Sequence, residues 1–100
     1  MYARVTTFQV EPEKLDEALE VTQNSIIPAM KQQQGFNGVL TLLDRPAGKA
    51  RSITLWETEA DLKAGESSGY YQQQVGKLAS FVTAPPTREV YEVTIDLSSL

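Results

Sequence analysis

The order of elements this sequence predicts is β-α-β-β-α-β, an α+β domain. Three observations carry that prediction. Four segments are rich in β-branched and aromatic residues, two stretches between them space their apolar residues as helices do, and turn chemistry joins the middle two strands. Tyr2 to Val10 is the first strand. Glu11-Pro12-Glu13 opens the first helix, because proline suits a first turn and acids there face the positive end of the helix dipole. Leu15, Ala18, Leu19, Thr22, Ile26 and Met30 form its inward stripe, opposite Glu13, Asp16, Glu17 and Glu20. Pro28 is expected to kink this helix, or to end its regular part near Ile27, since its ring clashes with the Asn24 carbonyl.

Gly35 closes the segment. Phe36–Asp44 and Ala50–Glu57 are the next two strands, joined through Arg45-Pro46-Ala47-Gly48-Lys49 as a hairpin. Thr58 followed by Asp61 resembles a capping box. Gly65 and Gly69 interrupt the helical sequence that follows, predicting a short helix over 59–66 and a longer one over 68–82. Tyr71, Val75, Leu78 and Val82 are the stripe of the longer piece, and Pro85-Pro86 is expected to terminate it. Residues 87–96 form the last strand, before a short polar tail. This is the ferredoxin-like plait: a four-stranded antiparallel sheet with both helices on one face.

At 100 residues the chain has room for a single domain, with its core between 2 and 96. It has no cysteine and no histidine, which removes disulfides, thiolate metal sites, Cys nucleophiles and His-containing triads. Nine Lys and Arg against thirteen Asp and Glu give a net charge of −4, and the cations are scattered. Nucleic acid is therefore not an expected partner, since phosphate affinity comes from clustered cations. The small cluster Arg45, Lys49 and Arg51 reads as a solvated turn. No apolar run approaches membrane-spanning length and no signal peptide opens the chain, so a cytoplasmic protein without membrane contact is expected.

Alternation along the strands places apolar residues on both sheet faces. Ile53 and Leu55 oppose Trp56, Leu40 and Leu42 oppose Val39 and Leu43, and Tyr91, Val93 and Ile95 oppose Val90. A small sheet apolar on both sides needs a second cover. A two-fold homodimer, with two sheets face to face as a dimeric α+β barrel, is expected to supply it.

With these elements the chain resembles the antibiotic biosynthesis monooxygenase superfamily of dimeric α/β-barrel proteins. The resemblance lies in Ile26-Ile27-Pro28-Ala29-Met30 leading to Gly35-Phe36-Asn37-Gly38, in Thr54 through Leu62 (TLWETEADL), and in Arg88-Glu89-Val90-Tyr91-Glu92-Val93. It spans nearly the whole chain and implies the fold more strongly than the activity. The superfamily includes cofactor-free oxygenases of polyphenols and quinols, and haem-degrading enzymes. The haem-degrading branch uses an Asn on the first strand with a Trp and a His on the second helix. Those positions here hold Thr6 or Thr7, Gly65 and Val75, so haem degradation is not expected. The His that quinol oxygenases often carry after the third strand is also missing. The resemblance therefore implies a cofactor-independent monooxygenase of a small phenolic or quinol-like molecule, with no cofactor and no metal. A non-catalytic small-molecule-binding or dimerisation module on the same fold is the alternative.

Such oxygenation requires a dry pocket for a flat aromatic body and groups that stabilise its anion. Trp56, Tyr70, Tyr71, Tyr91, Phe8 and Phe36 are candidate walls. Arg51 or Arg88 is a candidate for holding a phenolate, Asn37 for donating a hydrogen bond, and Glu57 or Glu92 for the base. Each also has a structural role open to it. Trp56 and Tyr71 suit core packing, Tyr70 suits surface or pocket mouth, and Arg4, Arg51 and Arg88 suit cross-strand pairs with Glu57, Glu89 or Glu92. Residues 65–71 are the expected substrate entrance, or else a plain helix break with Ser67 or Ser68 as a new N-cap.

Overall fold

The computed structural model describes residues 1–96, and the expected polar tail over 97–100 lies outside the described residues. Strands β1 (Tyr2–Gln9), β2 (Phe36–Asp44), β3 (Lys49–Trp56) and β4 (Thr87–Glu92) form one sheet in the order β2-β3-β1-β4. All three pairings are antiparallel. Helices α1 (Leu15–Val21), α2 (Ile27–Lys31), α3 (Glu59–Ser67) and α4 (Tyr70–Gly76) complete the plait that the sequence predicts. Among the described residues no helix is long and apolar enough to cross a membrane.

Register sorts the strand residues by face. Arg4 lies opposite Thr54 and Val90, Thr6 opposite Ser52 and Arg88, and Phe8 opposite Ala50. This set shares the helix-covered face with Phe8, Val10, Leu15, Ala18, Ile26, Met30 and Leu78, the buried apolar cluster. The alternate set includes Val5 opposite Ile53, Leu40 opposite Ile53 and Tyr91 opposite Ala3. No helix covers that second face, and Leu40, Leu42 and Tyr91 are exposed on it.

Pro12–Lys14 forms a tight 3₁₀ turn that leads into α1. The disturbance expected at Pro28 falls one turn earlier, as a π-helical turn over Thr22–Ile26. There the Ile27 N–H donates to the Thr22 carbonyl, five residues back. The wider turn accommodates the missing proline N–H, and the chain stays helical through Lys31. Thr58 caps α3 as expected, its Oγ1 accepting the Asp61 N–H at 3.1 Å.

Three boundaries need correction. Gly65 does not interrupt α3, which runs on to Ser67; the break falls at Ser68-Gly69. The second helix does not extend to residue 82 but stops at Gly76. Beyond it Leu78, Ala79 and Phe81 donate to carbonyls three residues back, so the chain tightens into turns rather than waiting for the prolines. Val82 then bridges Val10, and the Thr83 N–H donates to the Gln9 carbonyl at 2.8 Å. The apolar stripe is real, but its second half is not α-helical. The last strand ends at Glu92 rather than 96, although the Val93 N–H still reaches the Met1 carbonyl at 2.9 Å.

Gly48 shows why the hairpin turn is glycine. Its φ is +67°, and a Cβ there would run into the Val10 carbonyl, which lies on the strand end it hydrogen-bonds. Gly48→Ala is expected to lower folding stability by about 1–3 kcal/mol. Urea unfolding checks this, and a midpoint unchanged from the parent would contradict it.

Candidate functional site

The helices do not seal the sheet completely. Between β1, β3 and the helices lies a cavity of about 70 Å³ with a mainly apolar wall, including Phe8, Leu15, Ile26, Met30 and Val75. Arg4 and Tyr70, two of its polar groups, lie where α3 meets α4. Arg4 is 3% exposed, and strand alternation points it inward with Thr6 and Phe8. Its Nε donates to Glu66 Oε2 at 3.0 Å and its Nη2 to the Leu62 carbonyl at 2.9 Å. The guanidinium lies over the Tyr71 ring at 4.3 Å and over the Trp56 ring at 5.5 Å. Arg88 Nη1 donates to the same Glu66 oxygen at 3.0 Å. Two cations and one carboxylate thus form a triad of net charge +1 by simple count. Burial pulls the Arg4 guanidinium below its ordinary value, and the hydrogen bond and charge of Glu66 oppose that.

The aromatic wall is fixed by hydrogen bonds. The Thr6 and Tyr71 hydroxyls lie 2.9 Å apart. Trp56 Nε1 donates to Thr54 Oγ1 at 2.9 Å, and Phe36 meets the indole edge-on with ring centres 5.9 Å apart. Gly65 gives Tyr70 its place: a Cβ there would sit 3.3 Å from the Tyr70 ring and 3.8 Å from Arg4 Nη2. Tyr70 Oη and Gln74 Oε1 are buried without a hydrogen-bond partner. Burial raises the Tyr70 hydroxyl above its ordinary value and Arg4 partly offsets the rise, so it remains a proton donor at neutral pH.

Of the residues singled out in the sequence, Trp56, Tyr70 and Tyr71 come together on this wall. Arg51 borders the cavity near the hairpin, while its register with Thr7 and Leu42 assigns its side chain to the helix-free face. Asn37 lies elsewhere, in the bulge of β2, with its Nδ2 donating to Glu57 Oε2 at 2.6 Å in an exposed pair. Tyr91 is exposed on the helix-free face and donates to Glu89 at 2.6 Å, a bond that raises its hydroxyl above the ordinary value. Glu57 and Glu92 are exposed and outside the cavity. The arginine pairings expected across strands are also corrected, because Arg4 and Arg88 both reach Glu66 of α3. Gly69, at φ +87°, is the N-cap of α4; neither Ser67 nor Ser68 takes that position, although Ser68 Oγ accepts the Tyr70 N–H at 3.4 Å.

Arg4, Thr6 and Gln74 are not among the candidate site residues of the sequence, and Glu66 enters only within the expected entrance over 65–71. For Arg4 a signal existed: it shares its strand parity with Phe8 and Val10, the most apolar positions of that segment. Glu66 carries no comparable signal, since 62 residues separate it from Arg4.

A ferredoxin-like domain with an aromatic cavity beneath its helices defines the class of protein. The family model for antibiotic biosynthesis monooxygenase matches residues 1–77, and the chain belongs to that family. Among solved structures it is similar to the ActVA-Orf6 monooxygenase of Streptomyces coelicolor in complex with nanaomycin D. That match has a TM-score of 0.80 and 15% identity, covering 96% of this chain and 89% of that one. It is also similar to SnoaB, a cofactor-independent oxygenase from Streptomyces nogalater (TM-score 0.72, 15% identity, 98% and 97% covered). At these identities the likeness is one of fold. In sequence it is 33% identical over 64 residues to the uncharacterized protein Rv2557 of Mycobacterium tuberculosis, covering 64% of this chain. The match spans 29% of that relative's length.

Proposed function

We propose that this protein is a cofactor-independent monooxygenase of a small phenolic or quinol-like molecule bound in the cavity. The observation that carries the reading is the buried Arg4 at one end of an apolar aromatic cavity, paired with the half-buried Glu66, which the exposed Arg88 also bonds. The Arg4 guanidinium on the cavity wall favours the ionised form of a bound phenol, and that anion gives an electron to O₂ far more readily than the neutral molecule. Recombination of the pair forms the C–O bond. For a phenol carrying hydrogen opposite the hydroxyl, phenol plus O₂ becomes quinone plus water: the C–H bond breaks, one oxygen atom stays on carbon and the other leaves as water. The substrate supplies all four electrons, so no external reductant is needed.

The described residues that line the cavity include no Asp, Glu or His. The substrate's own acidity then controls ionisation, and the rate is expected to rise with pH through the pKa of each bound phenol rather than through one fixed value. The same lack of a base favours a second reading, a binding module without turnover. Oxygen uptake by the metal-stripped protein on hydroquinones and naphthols, with chelator present and autoxidation subtracted, tests both. Saturable uptake supports the oxygenase. Its absence, with the same compounds still quenching Trp56 fluorescence, supports the binding module.

We further propose that a second copy of the chain covers the helix-free face. Leu40 at 57%, Leu42 at 49% and Tyr91 at 51% are exposed on that face.

A further inference from the structure

Two buried oxygens on α4 have no place in the scheme above. Gln74 is 8% exposed and Tyr70 follows the helix break, and both residues line the cavity. Tyr70 Oη and Gln74 Oε1 are the two buried side-chain polar atoms without a partner among the described residues. Residues four apart on a helix share a face, so the two side chains are neighbours. An unpaired buried acceptor is costly to keep, and replacing it by an apolar group of similar shape is close to neutral or stabilising. The unpaired state is therefore a liability to the protein that a ligand with matching groups relieves.

We infer that Tyr70 and Gln74 form a two-point reader for a ligand carrying an acceptor oxygen beside a hydrogen-bond donor. The chemistry of the two groups dictates the pattern. A protonated Tyr70 hydroxyl donates to an oxygen, including an ionised one, whereas Gln74 Oε1 accepts only. Arg4 turns toward Glu66 and the Leu62 carbonyl, and no hydrogen bond from it reaches either atom. A simple phenol bound as its anion, the form proposed above, satisfies Tyr70 alone, because it keeps no proton to give Gln74. An aromatic with two adjacent hydroxyls satisfies both residues when one oxygen is ionised and its neighbour keeps its proton. This narrows the substrate class to vicinal dihydroxy aromatics, and it rests on the cavity being the substrate site.

The test is anaerobic binding of 2,3-dihydroxynaphthalene and 2-naphthol, followed by quenching of Trp56, the single tryptophan. The parent protein is expected to bind the diol at least about tenfold more tightly, since 2-naphthol bound as its anion has no proton to give Gln74. Gln74→Leu should erase that preference by weakening only the diol, and its unliganded melting temperature should equal or exceed the parent's. Tyr70→Phe should weaken both ligands. Equal affinities in the parent, no saturable quenching by either compound, or a preference that survives in Gln74→Leu would overturn the assignment. Because oxygen is excluded, failure of turnover leaves this result untouched. Conversely, oxygen uptake without the diol preference would sink the reader and leave the oxygenase standing.

Discussion

Arg4→Ala is expected to lose about 3 kcal/mol of folding stability and all saturable oxygen uptake. The stability figure follows from removing a buried cation that is hydrogen-bonded at two nitrogens and packed on two aromatic rings. The loss stays at the lower end for a buried ion pair because Glu66 keeps Arg88 as a partner. For a domain of this size it corresponds to a fall in melting temperature of more than about 10 °C. Arg4→Lys separates packing from charge. It keeps a cation near Glu66 but has no planar fork to span Glu66 and the Leu62 carbonyl together. It should fall between parent and Arg4→Ala in stability. Calorimetry on the three proteins checks the order, and an Arg4→Ala protein melting within 2 °C of the parent would contradict it.

The second large effect concerns assembly. Leu40→Asp combined with Leu42→Asp should convert a dimer into a monomer, raising the dissociation constant by at least about a hundredfold, or roughly 3 kcal/mol. Both residues point away from the helices and neither belongs to the buried cluster, so each monomer should still fold. Placing two carboxylates in an apolar interface leaves unpaired charges that water would otherwise solvate. Sedimentation at micromolar concentration reads the outcome. A parent protein that already sediments at the mass of one chain would remove the proposed second copy.

Alternation along Phe36–Asp44 and Lys49–Trp56 was enough to show that both sheet faces are apolar, because side-chain direction in a strand is local information. Turn chemistry located the hairpin for the same reason, since Gly48 must adopt a conformation that few other residues accept. Local information fails for Val82. Its spacing from Tyr71 and Val75 fits a helix, yet its place is set by a bridge to Val10 at the far end of the first strand. The candidate site divides in the same way. Trp56 and Tyr71 were found because large aromatic residues next to apolar stripes belong to walls. The pairing of Arg4 with Glu66 was missed because 62 residues separate them and nothing near either residue names its partner.

Tyr70, Tyr71 and Gln74 occupy a seven-residue helix that starts after Gly69 and ends at Gly76. The buried apolar cluster draws on β1, α1, the π-helical turn, α2 and Leu78, and includes none of these three residues. On the proposed reading, the residues that choose what enters the cavity sit on one short helix, joined to the rest of the fold through the Thr6–Tyr71 contact and through Val75 against the buried cluster. Descendants of one scaffold can then diverge in their choice of molecule through a handful of changes in that helix, while the four strands and the long first helical segment stay as they are.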